Sequence, residues 1–412
     1  MKVHANASST DKILRYNAGR DPDRLLLKYR AIASNPFSFL RGTCPLYFEQ
    51  LPSHPVLDKA PPAWICGDLH LENFGSYKGD NRLVYFDMND FDEALLAPCS
   101  WEVVRLLTSI LIAAPTLGAK PDTALDLVWH CLHSYADALA AGKARWIDRD
   151  ASDGLIAQLF KQLATRKRQD YIASRTCDGP KHRQVRTDKG KALPASDADK
   201  ERVHAWMKAY AAEQENPGFF KVIDIARRIA GTGSLGLERF VILIEGKGGL
   251  DGHYLLDLKE AIPSALIDRT PCKQPKWASE SVRVAELGTR LQAVAPAFLE
   301  AVDLGGKPFL LKGLQPSQDR VDLEGAAAQA KQLDRMMCEF GAIAAWAQLR
   351  SSGREGSSSA DELIAFGRER KQLDALLDIS RHMADQVETD WKTFAKRCGD
   401  KPEDLVALSK TT

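Results

Sequence analysis

The sequence lacks the features that mark several large protein classes. Its eight cysteines are scattered over 412 residues without a C-x-x-C pair, so neither a zinc ribbon nor a disulfide framework is expected. The 56 Lys and Arg residues balance 55 Asp and Glu residues, and no nucleic-acid-binding module is recognisable. The opening MKVHANASSTDK lacks the apolar core of a secretory signal. We therefore expect a cytoplasmic protein with reduced thiols that does not bind nucleic acid.

Long apolar runs are also missing. The most apolar stretch, residues 106–119, is shorter than a bilayer span and includes Thr and Ser, which predicts a buried helix and no membrane association. With 44% hydrophobic and 27% charged residues, the chain can bury a sizeable core in two or three domains or in one bilobal enzyme. Nothing in the sequence indicates an oligomeric state.

Two acidic motifs follow short apolar runs in the first quarter of the chain. GDLHLEN (67–73) follows AWIC, and DMNDFDE (87–93) follows LVYF. Asp68 and Asn73 have the D-x-x-x-x-N spacing of the kinase catalytic loop, in which the Asp accepts the substrate hydroxyl proton and the Asn binds Mg²⁺. Asp87 ends the next predicted strand, where such enzymes place a metal-binding carboxylate. The motifs predict Asp68 and Asn73 as catalytic residues, and Asn73, Asp87 and Asp90 as Mg²⁺ ligands.

The acidic motifs leave two questions open. The acidic run continues to Asp92, so the sequence does not separate Asp87, Asp90 and Asp92 as metal ligands. Asp and Asn after strands also form turns and helix caps without any catalytic role. Arg41, which ends the aromatic run FSFLR, would lie at the rim of the site or form a surface ion pair.

A glycine-rich motif, GTGSLG (231–236), has the G-x-G-x-x-G form. A dinucleotide-binding fold requires a helix after it, but LERFVILIE (237–245) and HYLLDLK (253–259) are typical of strands. A glycine loop between strands, followed by a strand that ends in lysine, is the order of the kinase nucleotide-binding lobe. We expect Gly231, Gly233, Ser234, Gly236 and Lys259 to contact ATP phosphates, although a lysine at a strand end is often only solvated.

A helix predicted from about residue 280 to 298 would carry the ion-pair partner of Lys259. Glu286 is the best-centred candidate, and Glu280 competes with it. The segment 166–200 is rich in cations, Gly and Pro with little periodicity, so it is predicted to be a loop or linker. Its cations would either meet a phosphorylated or acidic substrate or remain solvated.

The order of these motifs is the reverse of that in ordinary kinases, because Asp68 precedes Lys259. We therefore expect an α+β, bilobal, protein-kinase-like fold in circularly permuted form, which surface rejoining of neighbouring termini permits. Residues 1–200 would form a catalytic-lobe segment with the base and metal motifs, and 201–320 a nucleotide-binding β lobe. Residues 321–412 would be helices that complete the catalytic lobe.

Five motifs together resemble the bacterial domain-of-unknown-function family 2252 over most of the chain: GDLHLENFG, FDMNDFDEA, GTGSLG, LLDLKEA and LLKGLQPSQDRVDL. That family resembles the aminoglycoside phosphotransferase and protein-kinase-like superfamily, most closely in GDLHLEN, which is similar to an H-G-D-x-H-x-x-N loop. The resemblance implies Asp68 as catalytic base, Asn73 and Asp87 as Mg²⁺ ligands and Lys259 as a phosphate ligand. Two departures are Cys66 in place of His, and an acidic run that does not end in D-F-G. The substrate of the family is unknown.

The function expected from these motifs is ATP- and Mg²⁺-dependent phosphoryl transfer to a hydroxyl of an unidentified small molecule or protein. One alternative is transfer of AMP on the same scaffold with the nucleotide reversed. Another is a pseudokinase that binds ATP without turnover. A dinuclear metallophosphoesterase needs several further histidines, and the remaining ones form no G-N-H or G-H-x-H motif.

Overall fold

The structure is a computed structural model that describes residues 7–179, 182–314, 320–399 and 401–409. It has a mixed α+β architecture, which confirms the predicted class. Residues 315–319, which belong to the motif LLKGLQPSQDRVDL, lie outside the described residues.

The helices in chain order are α1 (Ser9–Tyr16), α2 (Pro22–Ser34), α3 (Pro36–Gly42), α4 (Cys44–Gln50), α5 (Pro55–Asp58), α6 (Ser100–Leu117), α7 (Pro121–Ala141), α8 (Gly154–Thr165), α9 (Arg168–Arg175), α10 (Asp197–Ala212), α11 (Gly249–Gly252), α12 (Glu280–Leu291), α13 (Ala330–Ser351), α14 (Ala360–Arg368), α15 (Leu373–Cys398) and α16 (Pro402–Ser409). Short 3₁₀ helices span Leu71–Asn73, Pro217–Phe220, Ala326–Gln329 and Arg370–Gln372.

The strands are β1 (Pro62–Ile65), β2 (Phe74–Lys78), β3 (Val84–Met88), β4 (Leu95–Pro98), β5 (Thr176–Asp178), β6 (Arg183–Val185), β7 (Ala192–Pro194), β8 (Val222–Arg228), β9 (Arg239–Ile244), β10 (Tyr254–Glu260), β11 (Glu300–Asp303) and β12 (Pro308–Gly313).

The largest sheet has six antiparallel strands in the order β11-β12-β10-β9-β8-β7. Successive side chains of a strand point to opposite faces. Leu256 and Leu258 of β10 therefore join an apolar cluster that includes Val203 and Met207 of α10. Asp257 and Lys259 alternate with these leucines and point to the other face, where the functional cleft lies.

The inner face of the sheet is partly covered by the segment that the sequence predicted to be a loop. This segment contains α9 and β5–β7, and β7 adds an edge strand to the main sheet. Ile172 and Val185 are buried against Val241, Leu243 and Leu255 of β9 and β10. A few apolar residues spaced among many cations are sufficient to dock the segment, and sequence periodicity did not reveal them.

The rest of the chain is built mainly from helices around a second, larger core. The helices α7 and α13 pack so closely at Gly341 that a Cβ there would lie 2.1 Å from the Cys131 carbonyl oxygen. In the part of the chain that the structure describes, one helix is long and apolar enough to cross a membrane, Ser100–Leu117. Of the residues in this helix, 83% are buried inside the structure, as predicted for a core helix.

The acidic motifs lie on and beside two short antiparallel pairs of strands. Strand β1 pairs with β4, and β2 pairs with β3, all antiparallel. The loop after β1 holds GDLHLEN, and the loop after β3 holds the end of DMNDFDE. A bridge between Gly79 and Pro296 joins the β2–β3 turn to the segment after α12. The acidic loops therefore face the inner surface of the large sheet.

Candidate functional site

The first acidic loop begins at a position that only glycine can occupy. Gly67 has φ +82°, and a Cβ there would lie 2.5 Å from the Glu93 carbonyl oxygen. The turn presents Asp68, and the 3₁₀ helix that follows returns Asn73 to it. Asn73 Nδ2 donates a hydrogen bond to the Asp68 carbonyl oxygen at 2.5 Å. The side chains predicted as catalytic base and metal ligand are thus held together by the local backbone.

Asp68 is held by a buried arginine that the sequence analysis did not single out as functional. Arg105 of α6 has no exposed surface, and its Nε donates to Asp68 Oδ1 at 2.8 Å. A second guanidinium nitrogen contacts the same oxygen and donates to the Leu40 carbonyl oxygen at 2.9 Å. Burial raises the pKa of Asp68 to about 6, although Arg105 acts in the opposite direction. A carboxylate with this pKa is well matched to proton transfer near neutral pH.

Asp87 differs from the prediction. It is buried, with Oδ1 accepting from the Met88 amide at 2.8 Å and Oδ2 accepting from the Ala293 amide at 3.0 Å. Oδ2 therefore fixes the backbone after α12 to β3, while Oδ1 is occupied by the neighbouring amide within β3. Asp87 does not line the cavity that contains Asn73 and Asp90, so it is not brought together with the other predicted Mg²⁺ ligands.

Asp90 takes the place in the cleft that Asp87 lacks. It faces the cleft beside Asp92, and Phe91 between them is buried against Gly288 of α12. Burial would raise the pKa of Asp90, but Lys259 and Lys312 outweigh it and hold the pKa below its ordinary value. Asp90 is therefore a carboxylate that stays ionised among cations.

Lys259 is buried behind the same cleft, and its ammonium group contacts the carboxylate of Asp92. The two residues lie 167 positions apart in the sequence. Burial lowers the pKa of Lys259 to about 8, against the attraction of Asp90. A cation this deeply buried, and this close to carboxylates, is available to a phosphate that enters the cleft.

The predicted partner of Lys259 was Glu286, and this requires correction. Glu286 binds Arg290 at 2.6 Å and its side chain is 46% exposed, while the competing Glu280 binds Arg283 at 2.6 Å. Val284 lines the cleft, and residue 286 lies about 200° further around the helix. The helix is therefore turned so that neither glutamate meets Lys259, whose carboxylate partner is Asp92.

The glycine motif forms the predicted loop between β8 and β9. Gly231 and Gly236 adopt φ values of +74° and +97°, which favour glycine. Three cations from the N-terminal part of the chain hold the loop by its carbonyl groups. Arg20 and Lys28 donate to the Gly233 carbonyl oxygen at 2.7 and 2.9 Å, and Arg24 donates to that of Leu237 at 2.6 Å.

A cavity of about 70 Å³ lies under the loop and brings most of the predicted residues together. Its lining includes six of them: Asp68, Asn73, Asp90, Gly231, Gly233 and Ser234. Asp92, the partner of Lys259, lines it as well. Two predicted phosphate-binding residues, Gly236 and Lys259, lie outside this lining, and Gly236 lies against Arg20.

A larger cavity of about 260 Å³ adjoins the first one. The two share Asp90, Asp92 and Val284. The larger cavity has an aromatic and apolar lining that includes Phe91, Tyr171, Tyr254 and Phe298, with the basic residues Lys78, Arg82, Arg168 and Lys312. A ligand with an aromatic end and an anionic end could therefore span both cavities.

Several cations at the site were missed or left open by sequence reasoning. Arg41 and Arg320 both line the cavity under the loop and pair with Glu72, at 2.9 and 2.8 Å. Both expectations for Arg41, a place at the rim and an ion pair, are therefore met. Arg105 carried a signal that could have been used, since a lone arginine within the apolar helix α6 requires a buried partner.

The donor groups of the cleft fit a magnesium ion that is shared with phosphates. Among the residues that the structure describes, no three His, Cys, Asp or Glu side chains form a metal site of their own. Mg²⁺ commonly uses only one or two protein carboxylates, completed by water and substrate phosphates. The Asn73 amide and the Asp90 carboxylate line one cavity and supply oxygen ligands of this kind.

Comparison with known proteins identifies the family and nothing more specific. A family described as "Uncharacterized protein conserved in bacteria (DUF2252)" matches residues 20–397, so the chain belongs to this family. No curated protein and no solved structure matches the chain.

Proposed function

We propose that this protein is an ATP- and Mg²⁺-dependent phosphotransferase that acts on a hydroxyl acceptor. One observation carries the proposal: Asp68, Asn73 and Asp90 line the same cavity as the glycine loop, and Asp92 in that lining forms an ion pair with Lys259. These groups come from distant parts of the chain. Phosphoryl transfer requires this combination of a base, oxygen ligands for a metal, a loop over the phosphates and a cation.

The geometry suggests a role for each group. The β- and γ-phosphates would lie under Gly231–Ser234, with the Lys259 ammonium donating to them in exchange for its contact with Asp92. Asn73 and Asp90 would hold Mg²⁺, which neutralises charge on the phosphates when bound. Asp68 would accept the proton of the acceptor hydroxyl, while Arg105 keeps its carboxylate oriented toward the cavity.

The arrangement of elements supports a kinase-like fold in permuted order. The glycine loop joins β8 and β9, Lys259 ends the neighbouring β10, and α12 follows it. Asp90-Phe91-Asp92 stands where kinases carry D-F-G, with the aromatic ring packed against α12 as in that motif. In the chain these parts run from the catalytic loop to the glycine loop, which is the inverse of the kinase order.

The two cavities suggest how the nucleotide would be oriented. The larger one, with Tyr171, Tyr254 and Phe298 in its lining, suits an adenine ring better than the cavity of about 70 Å³ under the loop. Because the cavities meet at Asp90 and Asp92, an adenine in the larger one would send its phosphates toward Lys259. This orientation places the γ-phosphate near Asp68 and favours phosphoryl transfer.

Nucleotidyl transfer is the second candidate, and one observation favours it. Arg82, Arg168 and Lys312 line the larger cavity, so it could also receive the phosphates of a reversed nucleotide. Incubation with ATP labelled at either the α- or the γ-phosphate distinguishes the two reactions. Label from the γ-position in the product supports phosphoryl transfer, and label from the α-position supports AMP transfer.

Two matched variants test the metal assignment. Asp90→Asn should abolish Mg²⁺-dependent binding of a nonhydrolysable ATP analogue and preserve the thermal unfolding midpoint, because Asp90 faces the cleft. Asp87→Asn should lower that midpoint and preserve nucleotide binding, because it disrupts bonds to buried amides. The reverse pattern would contradict the assignment of Asp90.

Turnover is tested by transfer of γ-labelled phosphate to fractionated metabolites and proteins. Asp68→Asn keeps a side chain of the same shape beside Arg105 and should eliminate the labelled product while nucleotide binding remains. Nucleotide binding without any labelled product from the wild-type protein would instead identify a pseudokinase. Absence of any binding of Mg²⁺ and ATP would refute both the phosphotransferase and the pseudokinase hypotheses.

A further inference from the structure

A third cavity, of about 180 Å³, adjoins the cavity under the glycine loop at Asp68. It is bounded by the N-terminal helices α1–α4 and by residues 262–265. At the ~30 Å³ that a water molecule occupies in the liquid, it has room for about six waters. It shares Arg20, Arg41, Asp68 and Glu93 with the cavity under the glycine loop. Asp68 thus lies where the predicted phosphate site of about 70 Å³ adjoins this cavity of about 180 Å³, which is called the chamber below.

Two cations in this chamber form no close ion pair with a carboxylate among the described residues, although Glu93 attracts both from a greater distance. Lys28 is 3% exposed, and its ammonium donates to the Gly233 carbonyl oxygen at 2.9 Å. Arg20 donates to the same oxygen at 2.7 Å and to that of Leu235 at 3.1 Å. A buried charge is strongly destabilising unless an opposite charge compensates it, and carbonyl groups compensate only in part. Burial accordingly lowers the pKa of Lys28 well below its ordinary range.

The chamber also contains polar atoms that lack hydrogen bonds. In the part of the chain that the structure describes, Arg41 Nε and Asn17 Oδ1 are buried without a partner. Both residues line the chamber, and Arg41 Nη1 pairs with Glu72 on its far side. Native proteins rarely leave buried donors unsatisfied without a functional reason. A ligand with acceptor oxygens would satisfy the donor and the two cations together.

Asp68 is arranged to receive a hydroxyl from this chamber. Arg105 donates to Oδ1 through two nitrogens, which leaves Oδ2 to accept a hydrogen bond from an incoming hydroxyl. Glu93 lines the chamber too, but its carboxylate accepts from the Ala265 amide at 2.6 Å and from Ser264 at 3.2 Å. Asp68 is paired with Arg105 and Arg41 with Glu72, so, of the residues described, Arg20 and Lys28 remain as the unpaired cations of the chamber, opposite the single carboxylate of Glu93.

We propose that this chamber is the acceptor site and that it takes a small hydroxyl compound bearing an anionic group. The assignment rests on the proposed phosphotransferase function. Lys28 and Arg20 bind the anion, and Asp68 accepts the proton of the hydroxyl. The hydroxyl oxygen then bonds to the γ-phosphorus, the bond from that phosphorus to the bridging oxygen breaks, and ADP leaves with the electron pair.

The chemistry of the chamber disfavours other acceptor classes. A cationic acceptor such as an aminated sugar would be repelled by Arg20, Lys28 and Arg41. A protein segment would need a longer groove than a chamber that holds about six waters. The anion could be a carboxylate or a phosphate monoester, since both accept hydrogen bonds from Lys and Arg.

The test compares small three-carbon hydroxyl compounds of different charge. D-glycerate and glycerol 3-phosphate represent the two anion classes, glycerol is the neutral control and 2-amino-1,3-propanediol is the cationic one. Each is titrated calorimetrically into the full-length protein saturated with Mg²⁺ and a nonhydrolysable ATP analogue. We expect at least one anion to bind at least about tenfold more tightly than glycerol, because only the anions form charge-assisted hydrogen bonds with Lys28 and Arg20. Equal affinity for the anionic and neutral compounds would overturn the proposal.

Two variants separate anion binding from anchoring of the glycine loop. Lys28→Met removes a cation that both lines the chamber and holds the loop. Arg24→Met removes a cation that holds the loop at Leu237 but does not line the chamber. Anion affinity should fall about tenfold in Lys28→Met and stay at the wild-type level in Arg24→Met. An equal loss in both variants would mean that the cations act only on the loop.

The same titrations distinguish failure of this assignment from failure of the proposed function. If the ATP analogue does not bind to the wild-type protein, the phosphotransferase proposal fails. If it binds and the anion preference is absent, only the acceptor assignment fails. Preference for D-glycerate indicates a hydroxy-carboxylate acceptor, and preference for glycerol 3-phosphate indicates a phosphorylated one.

Discussion

Replacement of Lys259 by methionine should separate function from stability. Burial lowers the pKa of this ammonium from 10.5 to about 8. At 1.36 kcal/mol for each pKa unit, keeping the charge in the folded protein costs about 3 kcal/mol relative to the unfolded chain. Methionine has a similar length and no charge, and the remaining partner, Asp92, is 33% exposed and can be hydrated. We expect Lys259→Met to be as stable as the wild type at pH 7, or up to about 3 kcal/mol more stable.

The pH dependence gives this prediction a definite sign. Below pH 8 the lysine is protonated in both the folded and the unfolded state, so its full cost is present in the wild type. Between pH 8 and 10.5 the folded protein releases the proton while the unfolded chain still holds it, so the wild type gains stability. The advantage of Lys259→Met should therefore be largest at pH 7 and disappear near pH 10.5. Urea unfolding of both proteins at several pH values measures this difference.

Although Lys259→Met should preserve or increase stability, it should weaken nucleotide binding. Loss of the ammonium should weaken binding of the Mg²⁺-bound ATP analogue by at least about tenfold, because a charge-assisted contact with phosphate is removed. Lys307→Met is the matched control, since Lys307 is 50% exposed and lies 3.6 Å from Glu238 and Glu260. Its unfolding free energy should change by less than about 1 kcal/mol, with normal nucleotide affinity. Destabilisation of Lys259→Met by more than about 2 kcal/mol at pH 7 would show that Lys259 is a structural ion-pair residue.

Two further predictions concern the catalytic base and the glycine loop. The kcat/KM of the transfer reaction should rise through about pH 6 as Asp68 ionises and fall above about pH 8 as Lys259 loses its proton. A kcat/KM that is constant across pH 6 would exclude Asp68 as the base. Gly236→Ala should destabilise the protein more than Gly190→Ala. Both glycines have positive φ, but only a Cβ at residue 236 would lie 2.7 Å from Arg20. Equal unfolding midpoints for the two variants would contradict the close approach of the loop to Arg20.

Local sequence patterns were sufficient to predict the elements of the cleft. Runs of strand-favouring residues predicted the strands around GTGSLG, and the structure has β8 and β9 there. The spacing of Asp68 and Asn73 correctly predicted that they lie together, because a short loop joins them. Such features depend on residues a few positions apart, so they are readable before the fold is known.

The sequence did not predict which face of a helix or strand points toward the cleft. Glu286 was chosen by its position along α12, but the packing of Val284 and Gly288 toward Phe91 turns it into solvent. Asp87 was chosen for its place at a strand end, yet the pleat of β3 directs it toward Ala293. One residue of difference along a strand reverses the face, and the neighbouring elements decide which face is the cleft.

The sequence by itself determined the α+β class, the glycine loop between strands and the pairing of Asp68 with Asn73, because each follows from periodicity or from the reach of a short loop. Only the tertiary structure decided that Asp92 meets Lys259, that Arg105 holds Asp68, and that Lys28 lies buried without a close ion pair among the described residues. These contacts join residues far apart in the chain, and a buried charge acquires its partner from whichever element packs against it.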